Sequence, residues 1–106
     1  FLAACAPPTL YYWDDYSETL YDLKSEPSDE HLAEHIETLQ AIIAKSKEQN
    51  KRVAPGICGE LGYWLAKSGK SQEAIAYFET EKQTYPESQL LMDTMIAQAN
   101  KSLKKG

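Results

Sequence analysis

Apolar residues recur along most of the chain at helical spacing. From Ser17 a short pattern brings Leu20, Tyr21 and Leu23 together and stops at Pro27, because proline offers no amide hydrogen with which to continue a helix. Ser28-Asp29-Glu30 then supplies a capping hydroxyl and early negative charge for a second helix. In it Leu32, Ile36, Leu39 and Ile43 fall at steps of four, three and four, the spacing of one buried face. Lys45, Lys47, Glu48 and Gln49 form the solvated end and Asn50 the stop. Pro55 is expected in the first turn of a third helix, whose stripe of Ile57, Leu61, Trp64 and Leu65 runs to a turn at Ser68-Gly69-Lys70. A fourth helix carries Ala74, Ile75, Tyr77 and Phe78 as far as Tyr85-Pro86. A fifth, from Glu87-Ser88, places Leu91, Met95 and Ile96 on one face and finishes in Lys101, Lys104 and Lys105. No segment alternates as a half-buried strand does. The pattern predicts an all-α fold of about five helices in antiparallel hairpins over residues 16–106. Residues 9–16, rich in aromatics but without a period, read as an extended lead-in packed on the helices.

A 34-residue tetratricopeptide pattern can be laid over residues 55–88. Leu61-Gly62 takes its Leu-Gly pair, Ala74 its small residue, Phe78 the aromatic one turn later and Pro86 the terminal proline, with Gly69 at the turn between helices. Gly62 and Ala74 would let two helices approach closely, and Phe78 would fill the gap beyond them. Cys58 and Glu81 depart from the pattern, standing where Trp and a small residue are usual. The first half keeps only the hairpin shape, and residues 87–105 would cap the last apolar face.

The first residues change the picture most. Phe1-Leu2-Ala3-Ala4-Cys5 reads as the end of an apolar signal segment followed by a lipobox cysteine. Residues 1–4 would belong to the signal peptide. Residues 5–15 would form a lipidated linker and aromatic lead-in, with Cys5 carrying the lipid and Pro7-Pro8 keeping the linker extended. Ala6 rather than Asp after the cysteine points to the bacterial outer membrane. A net charge of −5 over 106 residues argues against nucleic-acid binding, which needs basic surface to displace phosphate counterions. With Cys5 acylated, Cys58 is expected to act as a small buried hydrophobe.

Leu10-Tyr11-Tyr12-Trp13 with Asp15-Tyr16-Ser17, His35-Ile36, Arg52-Val53 before Pro55-Gly56, Glu60-Leu61-Gly62-Tyr63, Ala74-Ile75, Tyr77-Phe78, Glu81-Lys82 and Tyr85-Pro86-Glu87-Ser88 together resemble a family of small bacterial lipoproteins known only as a domain of unknown function. The resemblance covers nearly the whole mature chain. It implies a helical, tetratricopeptide-like lipoprotein of the cell envelope, whose gene neighbourhood often includes a lipoprotein resembling the curli secretion channel. From the residues around Cys5 the expected location is the outer membrane, lipid-anchored, on its periplasmic face. The resemblance implies no activity, no cofactor and no functional residues.

Three groups of residues are candidate sites. His31-Leu32-Ala33-Glu34-His35 matches the inverted zinc-protease pattern, in which two histidines one helical turn apart share a metal and the glutamate acts as base; a third ligand and a cleft would be needed besides. Tyr12, Trp13 and Tyr16, with Tyr11, Asp14 and Asp15, form an aromatic group of the kind that anchors peptides or sugars, or else a strap sealing the first hairpin. Tyr63 and Lys67, one turn apart on the third helix beside Gly59 and Ala66, would line a concave face. With two His and two Cys, no Ser-His-Asp set or paired Cys-x-x-Cys can be assembled. The expected function is a non-enzymatic interaction adaptor in envelope assembly or secretion. The alternatives are a pilot lipoprotein for an outer-membrane channel subunit and a small hydrolase built on His31, Glu34 and His35.

Overall fold

The computed structural model describes residues 10–105. Five α-helices follow one another: α1 (Tyr16–Ser25), α2 (Asp29–Glu48), α3 (Ile57–Lys67), α4 (Ser71–Thr84) and α5 (Gln89–Lys105), the last entered through a 3₁₀ turn at Pro86–Ser88. No strand occurs among the described residues. Each helix packs on the next, and α5 also reaches back to α3. Residues 1–9, with the expected signal end and the Cys5 lipobox, lie outside the described residues.

The turns follow from local chemistry. Ser28 Oγ accepts the His31 amide at 3.0 Å and caps α2, satisfying one of the donors that a helix start leaves bare. At the other end Asn50 takes φ 57°, and the Lys51 amide turns back to the Ser46 carbonyl at 2.8 Å. Gly69 ends α3 in the same way, at φ 84°, with the Lys70 amide on the Leu65 carbonyl at 2.8 Å. These are left-handed stops, which Gly and Asn adopt at least cost.

Leu39, Ile42, Ala54, Ile57, Leu61, Leu65, Ala74, Phe78, Met92 and Ala99 form one continuous core. Its tightest point lies between α3 and α4. A Cβ on Gly62 would stand 2.5 Å from Phe78 Cε1 and 3.1 Å from the Ala74 carbonyl oxygen, so only glycine permits this approach. Tyr11, Tyr12 and Tyr16 of the lead-in pack against the same core.

Four expectations shift in register. The deepest face of α2 is His35, Leu39, Ile42 and Ser46, while Leu32, Ile36 and Ile43 are half-buried at its edge, because α2 is covered from two sides, by α1 and α3. Pro55 lies before α3 rather than in its first turn, since Gly56 takes φ 94° there. On α5 the inward residues are Met92, Met95, Ile96 and Ala99, which leaves Leu91 60% exposed. Tyr21 is likewise exposed, because α1 turns Leu23 inward.

Candidate functional site

A groove of about 670 Å³ runs between the alternate helices α1, α3 and α5. Tyr16 and Leu20 form one wall, Leu91 and Met92 the other, and Glu60 and Tyr63 of α3 the floor. Glu60, Glu81 and Glu87 border it, and the first two are committed to holding the fold.

Glu60 is where three helices meet. Its Oε1 accepts the Tyr16 hydroxyl at 2.6 Å, and its Oε2 accepts His35 Nε2–H at 2.7 Å and Trp64 Nε1–H at 3.0 Å. The other ring nitrogen of His35 lies 2.8 Å from Thr19 Oγ1. With three donors converging, the carboxyl acts as acceptor only, as the ionised form does. Burial alone would raise its pKa, but the hydrogen bonds from His35, Tyr16 and Trp64 and the charge on His35 outweigh it, and the net shift is downward. Tyr16 is pushed up to about 12 by burial, by its bond to Glu60 and by that carboxylate's charge.

Glu81 is buried. Its Oε2 accepts the Gly56 amide at 2.9 Å and its Oε1 the Gly59 amide at 3.1 Å. It thus caps the start of α3 from a neighbouring helix, and the negative charge faces the positive end of the α3 dipole. Nearby, burial and the charge of Glu81 push the Cys58 thiol up to about 11, in keeping with a buried apolar role.

Tyr16 and Tyr63 come together in the groove. Tyr63 is 38% exposed, stands edge-on to Trp64 at 5.0 Å and carries Lys67 Nζ over its ring at 5.6 Å. Lys67 itself lines a smaller adjoining recess beside Met95 and Ala99. Gly59 is closed over by Met92, whose Cε would lie 3.3 Å from an added Cβ. Tyr12 and Trp13 do not line the groove: Tyr12 lies under Lys45 Nζ at 5.9 Å, and Trp13 meets Tyr16 edge-on at 5.4 Å.

The two histidines point to different partners. His31 Nδ1–H donates to the Glu26 carbonyl at 2.6 Å, a bond that raises its pKa against the opposing effect of desolvation, with Glu34, Asp22 and Glu26 adding to the rise. His35, 0% exposed, is held between Thr19 and Glu60. No cluster of three or more His, Cys, Asp or Glu suited to a metal occurs among the described residues.

The chain matches the profile of a Domain of unknown function (DUF4810) over residues 10–95. It belongs to this family. The family region runs from the lead-in into α5 and so contains every member of the Glu60 and Glu81 networks. No curated protein and no solved structure matches the chain.

Sequence reasoning missed Thr19, Glu60 and Glu81 as organising residues. Glu81 carried a signal, as a charged residue at a position where the repeat pattern expects a small one. Glu60 carried a weaker one, lying one helical turn before a tryptophan whose ring N–H needs an acceptor. Thr19, His35 and Glu60 even stand in the order of a hydroxyl–imidazole–carboxylate relay. The imidazole is sealed, however, and Thr19 is not part of the groove lining.

Proposed function

We propose that the protein is a non-enzymatic, tetratricopeptide-like lipoprotein of the bacterial outer membrane, lipidated on Cys5, that holds a segment of another envelope protein in the groove between α1, α3 and α5. The observation that carries the reading is the groove's make-up. Alternate helices present Leu20, Tyr63, Leu91 and Met92 to it, and Leu91 remains 60% exposed on a helix whose other face is packed. An apolar side chain left open beside a half-exposed tyrosine is the composition of an interaction surface. Glu60 and Glu81 in its lining serve the scaffold, which suits binding better than turnover. The partner suggested by the resemblance of the sequence is a lipoprotein similar to the curli secretion channel.

Crosslinking in native envelopes with Cys5 intact, followed by mass spectrometry, tests this. One dominant partner is expected in the wild type, reduced about tenfold by Tyr63→Ala combined with Leu91→Lys, in line with loss of an aromatic and an aliphatic anchor. A partner retained in full by that variant would move the site to Tyr12 and Trp13. A Cys5→Ala variant should lose fatty-acid labelling and membrane fractionation, and retention of both would remove the anchor from the reading. A partner that is mislocalised when the protein is deleted would identify a pilot rather than an adaptor.

A further inference from the structure

The distribution of charge along α2 is uneven. Between Asp14 and Glu37 the only Lys or Arg is Lys24, whereas Lys45, Lys47, Lys51 and Arg52 crowd the end of α2 and the loop behind it, with Glu48 the one acid among them. Cations in a last helical turn are favoured by the helix dipole. That accounts for Lys45 and Lys47 but not for Lys51 and Arg52, which lie beyond the helix.

The ion pairs among the described residues are His35 with Glu60 and Lys82 with Glu79 and Asp93, so the four cations are in none of them. Lys47, Lys51 and Arg52 rim a cleft of about 480 Å³ with Ile43, Val53 and Ala54 in its wall. Glu81 also borders this cleft, but both its oxygens are taken by the Gly56 and Gly59 amides.

The lead-in arrives at the same end of the bundle. Tyr12 lies against Lys45, and Leu10, two residues earlier, is exposed. From Leu10 back to Cys5 is a span of five residues, at most about 17 Å of extended chain.

We propose that this end of the bundle docks on the anionic phospholipid headgroups of the membrane through Lys47, Lys51 and Arg52, with Lys45 and Leu10 beside them. The proposal builds on the lipidated Cys5 described above, since a tether that short keeps this end against the bilayer. The acidic start of α2 then lies towards the other end. Surface cations add to membrane affinity singly and are screened by salt.

The test uses the full chain with Cys5→Ala, so that no lipid contributes, sedimented with vesicles of phosphatidylcholine alone or mixed with phosphatidylglycerol. Binding to the mixed vesicles only, falling as salt is added, is expected. Lys47→Gln, Lys51→Gln and Arg52→Gln together should weaken it on the order of a hundredfold, at roughly fivefold per cation. Lys70→Gln, Lys101→Gln and Lys104→Gln together, the same change of charge at the far helix ends, should leave it within about twofold of the parent. Equal losses in the two sets, equal binding to neutral vesicles, or no binding to either would overturn the proposal. Fatty-acid labelling of Cys5 in cells is read separately, so failure of the anchor and failure of the basic surface give different results.

Discussion

In the middle of α3 the contact with α4 is steric, Gly62 against Phe78 with the Ala74 carbonyl behind it, and Glu81 of α4 bonds only the start of α3, whereas α1, α2 and α3 are joined by hydrogen bonds that converge on Glu60. The first kind of contact depends on volume and is indifferent to pH. The second depends on one carboxylate being ionised, because all its partners are donors. One small domain thus has a half that fails by loss of packing and a half that fails by loss of charge.

The largest way to disturb this contrast is Phe78→Ala. The ring is fully buried, and its removal should cost about 4 kcal/mol, a large share of the stability of a domain this size, read as a fall in the urea midpoint and in amide protection throughout. Glu60→Gln comes next, at about 2–3 kcal/mol, since an amide group then faces a donor. Here hydrogen exchange should rise in α1 while α3 and α4 keep their protection, and uniform loss across the molecule would erase the distinction between the halves.

Acid should copy that variant. The folded pKa of Glu60 is depressed, so its contribution is complete above the unfolded value of about 4.3 and is lost as pH falls through the folded one. At the alkaline side Tyr16, raised to about 12, contributes fully below the ordinary tyrosine value, and its share disappears as pH rises towards 12. The smallest effect is expected of Glu81→Gln, about 1 kcal/mol, because one oxygen can still accept. It should show as faster exchange of the Gly56 and Gly59 amides, with the α1 side untouched.

The steric half was the legible one. Gly62, Ala74, Phe78 and Gly69 have types and spacings fixed by helix approach and turn geometry, and these repeat from protein to protein. All five helices could likewise be placed from periodicity, with errors of register where a helix is covered from two sides, as at α2, or where one apolar residue faces the groove, as at Leu91. The polar half was not legible. Tyr16 and Glu60 are 44 residues apart, and nothing local to either says that they meet. His35 drew attention as half of a metal motif because the neighbours that matter to it, Thr19 and Glu60, lie on other helices.

The position of Tyr16 has a mechanical side. A pull on the chain ahead of Leu10 travels through the lead-in to Tyr16 within six residues, and from there it divides. Part passes along α1, and part crosses the hydroxyl bond to Glu60 and enters α3 in the middle of the bundle. Thr19 and His35 give it a second crossing one turn later, into α2. Load is thereby shared among three helices before it can peel one away, so the domain is strained in shear at the end where it is pulled.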